Sequence, residues 1–100
     1  MIVVAATIES TPENVEAMRE AILTMQAATL EEDGCEDYTF SVELGNAGNI
    51  RIAERWTSKE ALAAHFATPH MADFQAAMAA HPPKSVDARF YEATEIEFPG

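Results

Sequence analysis

The stretch Tyr38-Thr39-Phe40-Ser41-Val42-Glu43-Leu44 alternates apolar and polar residues without a break. A segment of period two buries one face only as a β-strand, because a helix would scatter those apolar residues around its circumference. The sequence GNAGN at 45–49 reads as a hairpin turn. Ile50, Ile52, Glu54 and Trp56 then share one face of a second strand. Two adjacent half-buried strands demand a layer of helix on one side, and the flanking sequence supplies it.

Ile2 to Glu9 is rich in apolar and β-branched residues and reads as a first strand. Thr11-Pro12 is an N-cap followed by proline at the first helical position. Val15, Met18, Ile22 and Met25 then fall on one stripe of a helix running to about Glu32, with Gly34 as its stop. After Trp56, Thr57 with Glu60 reads as a capping box for a short helix. Thr68-Pro69 repeats the Thr11-Pro12 device and opens a further helix with Met71, Phe74 and Met78 on its apolar stripe, ended by His81-Pro82-Pro83. Val86 to Phe98 reads as a long final strand. The order is β-α-β-β-α-β with the second helical segment broken in two. It predicts an α+β fold of ferredoxin-like type, one domain over residues 1–100, with a four-stranded antiparallel sheet. The first strand is apolar on both sides (Ile2, Val4 and Ile8 against Val3 and Ala5), so the sheet wants cover on both faces. The expected second cover is the sheet of another copy, giving a homodimer.

The charge narrows the partners. Seventeen acids against six Lys and Arg leave a formal charge of −11, which repels nucleic acid and anionic membranes and favours solubility. The first apolar run has no basic residues before it and is too short to span a bilayer, so it is expected to be a strand and not a leader. One cysteine, Cys35, excludes an intrachain disulfide and a cysteine metal site and fits a reducing cytoplasm.

Three stretches, GCEDYTF at 34–40, AERWTSKEALAAHFATPHMADF at 53–74 and ARFYEA at 88–93, resemble the antibiotic biosynthesis monooxygenase family. The resemblance covers nearly the whole chain and implies a dimeric α+β barrel, in which two sheets pack face to face and each copy carries a pocket between helices and sheet. Members of that family oxidise quinols or anthrones with dioxygen and no cofactor, cleave haem, or isomerise a small phosphorylated sugar. Haem-cleaving members use an Asn, a Trp and a His at positions that fall at or near Ala6, His65 and Gln75, and none matches.

Cofactor-free oxygenation needs an apolar pocket, a base for a phenolic proton and donors for the resulting oxyanion. His65 and His70, on either side of the Thr-Pro break, are the candidate acid–base residues, because imidazole titrates near neutral pH. The alternative for each is a capping or surface histidine. Their spacing across a break makes no metal motif, and neither metal nor cofactor is expected. Glu54 lies on the apolar face of its strand, as a base, as an orienter of His65, or in an ion pair with Arg51, Arg55 or Arg89. Trp56, Tyr38 and Phe74 are expected as aromatic pocket walls and Arg51 as a group for an anionic substrate. Core packing for the aromatics and solvation for Arg51 are the plainer readings. The expected activity is oxidation of a quinol, anthrone or similar small aromatic. An isomerase of a small oxo-compound and a non-catalytic small-molecule-binding dimer stand as alternatives.

Overall fold

The computed structural model describes residues 1–100. Its elements are β1 (Ile2–Glu9), α1 (Pro12–Leu30), β2 (Cys35–Glu43), β3 (Asn46–Trp56), α2 (Lys59–His65), α3 (Pro69–Ala80) and β4 (Ser85–Glu92). The strands form one antiparallel sheet in the order β2-β3-β1-β4, the ferredoxin-like arrangement.

Strand alternation sorts the two faces. Ile2, Val4, Ala6 and Ile8 of β1 are buried beneath the helices with Ile50 and Trp56 of β3 and Tyr38 of β2. The opposite face carries Val3, Ala5, Ala53 and Tyr91 among Arg51, Arg55 and Arg89, and no other element of the chain covers it. Arg51 donates to Thr7 Oγ1 and pairs with Glu43, Arg55 pairs with Asp37, and Arg89 with Asp87. β4 is exposed along its length, including Val86 and Phe90. No helix is long and apolar enough to cross a membrane.

The caps explain the helix starts. Thr11 Oγ1 accepts from Asn14 N at 3.1 Å and Thr68 Oγ1 from Met71 N at 3.3 Å, each ahead of a proline at the first helical position. For α2 the cap is Ser58, not Thr57: its Oγ accepts from Ala61 N at 3.1 Å. Two other expectations need correction. The hairpin turns at Leu44-Gly45, with Asn46–Asn49 already in β3, so Leu44 is fully exposed rather than a strand residue. A register shift between Val42 and Glu43 ends the alternation there. The last strand stops at Glu92, because β1, its pairing partner, has run out at Ile2. Residues 93–100 continue without strand structure, and Ile96 and Phe98 are exposed.

Gly34 makes the turn that positions the site. Its φ is +83°, which glycine adopts without penalty. Its carbonyl accepts from Thr57 N at 2.8 Å, drawing the end of α1 onto the start of α2. A Cβ at this position would lie 2.6 Å from Ala61 Cβ and 2.7 Å from Thr57 Oγ1. Gly34→Ala therefore combines left-handed strain with overpacking. It should lower the unfolding free energy by about 2–4 kcal/mol, read as a lower urea midpoint at unchanged slope. An unchanged midpoint would show that the turn is not constrained in this way.

Candidate functional site

Glu32 sits in the turn between α1 and Gly34, its N–H donating to Thr29 O at 3.0 Å and its carbonyl accepting from Cys35 N at 3.2 Å. Its side chain reaches the seam between α2 and α3. There Oε2 lies 2.7 Å from His65 Nδ1 and 2.7 Å from His70 Nε2. A carboxylate only accepts, so each imidazole donates, and the two rings share one oxygen. The seam itself is fixed by Thr68, whose hydroxyl donates to His65 O at 2.8 Å while capping α3. The last residue of α2 and the first turn of α3 are thus held in one geometry around Glu32.

His65 is 1% exposed. Its Nε2 is buried with no hydrogen-bond partner, and in the neutral ring with Nδ1 donating to Glu32 it is the nitrogen that carries the free lone pair. The rings of Trp56 and Tyr38 pack around it at centroid distances of 4.9 and 5.3 Å. A carboxylate–imidazole pair with a free Nε2 is the arrangement that accepts a proton from a bound group.

Glu54 forms the floor. One carboxylate oxygen accepts from Trp56 Nε1 at 2.9 Å, and both residues are buried. None of the three arginines considered from the sequence reaches Glu54, because alternation puts them on the other face of the sheet. Burial holds Glu54 above the ordinary carboxylate range; the Trp56 hydrogen bond opposes this, as does His65 when protonated, and the nearby Glu32 charge adds to it. Burial and the same two carboxylates push the Tyr38 hydroxyl well above the usual phenol range, so it stays a neutral donor. The Cys35 thiol is pushed up to about 11, mainly by burial, which makes it a poor nucleophile.

Two small apolar clefts lie further along the sheet. With cavity volumes of about 20 and 130 Å³, they share Val15 and Ile22 of α1 and Ile50 of β3. Phe74 and Met78 line the first and Phe40 the second, and neither is lined by Glu32, His65 or His70. A chain of rings links the two regions: Phe74 to Phe40 at 5.6 Å, Phe40 to Tyr38 at 5.5 Å, Tyr38 to His65 at 5.3 Å. Of the residues singled out from the sequence, His65, His70, Trp56, Tyr38 and Glu54 therefore converge, and Phe74 lies at the cleft end of the ring chain. Arg51 is not brought to this region; it occupies the opposite face of the sheet. One residue was missed: Glu32 carries no local signal, since its partners are 33 and 38 residues away. His81 lies in the loop after α3, as expected, and lines the first cleft with Ser10 and Asn14, where that loop folds back and Asn14 Nδ2 donates to Pro82 O at 3.1 Å.

A family model described as antibiotic biosynthesis monooxygenase matches residues 1–77, the span that holds every residue of the cluster. The chain belongs to the antibiotic biosynthesis monooxygenase family. Solved structures agree. A Deinococcus radiodurans protein provisionally named an antibiotic biosynthesis monooxygenase is 28% identical, with both chains covered in full and a TM-score of 0.90. A conserved protein of Methanosarcina mazei is 25% identical over 93% of this chain and 92% of its own, with a TM-score of 0.85. A Caulobacter crescentus protein with the same provisional name is 25% identical over 94% and 90%, with a TM-score of 0.84. No match is found among curated proteins. Against this family's haem-cleaving pattern, the three tested positions fall in β1 (Ala6), at the end of α2 (His65) and on the exposed side of α3 (Gln75).

The raised Glu54 carboxyl has a measurable consequence. A carboxyl whose folded value lies above its unfolded one adds stability that is fully present below about pH 4.3 and is lost as pH rises through the folded value. Glu54→Gln keeps an acceptor for Trp56 Nε1 without the charge. Its melting temperature should exceed that of the native chain at pH 7–8, and the gap should close as pH falls toward 4. Parallel curves for the two proteins would contradict the assignment.

Proposed function

We propose that this chain is a cofactor-independent monooxygenase acting on a quinol, anthrone or similar small electron-rich aromatic. The observation that carries the reading is the buried, unpartnered Nε2 of His65, backed by the Glu32 carboxylate on the other ring nitrogen. His65 takes the substrate proton, Glu32 stabilises the imidazolium that results, and His70, partly exposed, passes the proton toward solvent. The substrate anion then reduces dioxygen itself. In an anthrone the CH₂ group becomes a carbonyl; in a quinol a ring C–H becomes C–OH and the ring is oxidised to the quinone. In each case O₂ supplies the new oxygen and its second atom leaves as water. Tyr38, held neutral, donates to the developing oxyanion. The packed rings of Phe40 and Tyr38 stand between the apolar clefts and His65, so in this reading they move aside to admit the substrate, and their apolar faces favour an aromatic one.

Oxygen uptake with a panel of hydroquinones and anthrones, beside a boiled control, tests this. His65→Ala should lower kcat/KM by about 10²–10⁴-fold and His70→Ala by less. Full activity in both variants would remove the acid–base assignment. A second reading, a non-catalytic binder of small apolar molecules, is favoured by the separation of the clefts from His65. It predicts ligand-induced stabilisation with no turnover, in air or without it.

The assembly belongs to the same proposal. The uncovered sheet face, with Val3, Ala5 and Ala53 at its centre, Tyr91 on the edge strand and charges of both signs around them, suits packing on the same face of a second copy. Light scattering should give twice the 10.9 kDa chain mass, and Ala53→Arg, at the exposed centre of that face, should shift it to the monomer. A monomeric native chain at micromolar concentration would contradict the face-to-face dimer.

A further inference from the structure

Glu54 is buried and Glu32 mostly so, and neither makes an ion pair with lysine or arginine. Glu54 lies within the field of Glu32. Two such carboxylates are costly without compensating positive charge. The groups in reach of Glu32 are two imidazoles, which are cationic only when protonated. The chain as a whole is strongly acidic and concentrates cations around it.

The same three side chains present metal-ligating atoms to one point. His65 Nδ1, His70 Nε2 and Glu32 Oε2 all lie within 4.8 Å of one another. We propose that they form a site for one borderline divalent transition ion of the Zn²⁺, Co²⁺ or Fe²⁺ class. Two imidazoles and a carboxylate are a donor set that such ions favour over Mg²⁺ or Ca²⁺, and three protein ligands leave a position open. Ligands held at about 2.0–2.2 Å from an ion stand roughly 3.3 Å apart. The two 2.7 Å contacts must therefore open by roughly half an ångström and the two ring nitrogens, within 4.8 Å of each other, must settle at about the same spacing. As the ion takes the place of the bridging protons, each passes to the other nitrogen of its ring. His65 is fixed by the surrounding rings, so the adjustment falls to Glu32, in a turn, and His70, in the first turn of α3 and 22% exposed. That exposed side is the route of entry. Spacing in the sequence shows no metal motif because the ligands come from three separate segments. An ion there commits both imidazoles, so ion-loaded and proton-relaying forms exclude each other.

The site does not depend on the oxygenase reading, and its test uses no substrate. Chelator-treated protein is titrated with Co²⁺ at pH 7.5 and the visible d–d spectrum is recorded. One Co²⁺ per chain with bands distinct from aqueous Co²⁺, displaced by Zn²⁺, is expected. Glu32→Gln and His70→Ala, each checked for retained fold by circular dichroism, should weaken binding at least ~10-fold. Zn²⁺ added to the native chain should also shift the imidazole NMR signals of His65 and His70 and leave His81 unchanged, a readout that needs no variant. A spectrum identical to aqueous Co²⁺, binding undiminished in both variants, or unmoved His65 and His70 signals would each overturn the proposal.

Discussion

The contact between one oxygen of Glu32 and two imidazoles holds the rest of the arrangement together. It joins the turn after α1 to the seam between α2 and α3, and it exists only because both sides are prepared for it. On one side, Gly34 turns with positive φ and packs against Ala61 and Thr57 at a distance no side chain tolerates. On the other, Thr68 caps α3 and donates to the last carbonyl group of α2. The polar chemistry is therefore carried by backbone geometry as much as by the three side chains.

Charge is partitioned by the sheet. Arg51, Arg55 and Arg89 lie on the uncovered face, each with its own carboxylate. The helix-covered face keeps Glu54, satisfied by the indole N–H of Trp56, and the Glu32 cluster above it. With these three arginines on the far face, and no lysine or arginine paired with Glu32 or Glu54, positive charge at the cluster must come from protons on imidazole or from an ion. The clefts beside it are apolar, and edge-on rings separate them from His65. Apolar clefts and a polar cluster thus lie side by side in one core.

Much of this was readable in the chain. The alternation at 38–42 and 50–56, the two Thr-Pro caps and Gly34 as a helix stop all reflect local stereochemistry, and they place every element. Parity alone puts Arg51 opposite Trp56, so its distance from the site was available from the pattern that grouped Ile50, Ile52, Glu54 and Trp56. The ends were harder. The turn at Leu44-Gly45 depends on a register shift, and the short β4 depends on where its partner stops. Ser58 and Thr57 compete for one cap, and the geometry of the turn from β3 decides between them. Glu32 was illegible because nothing local distinguishes it from Glu31, and only the folded chain brings it to two histidines more than thirty residues away. His81 reached the cleft by a loop closure that local sequence does not encode.

The most direct test of this account is the protonation pattern of His65 in metal-free protein, read by long-range ¹H–¹⁵N NMR of the imidazoles. The account predicts a proton on Nδ1, slow to exchange, with Nε2 unprotonated at neutral pH, and loss of the protected Nδ1 proton in Glu32→Gln. A proton on Nε2 with a bare Nδ1 would mean that Glu32 does not organise the histidine, and the proton-handling reading would fall with it.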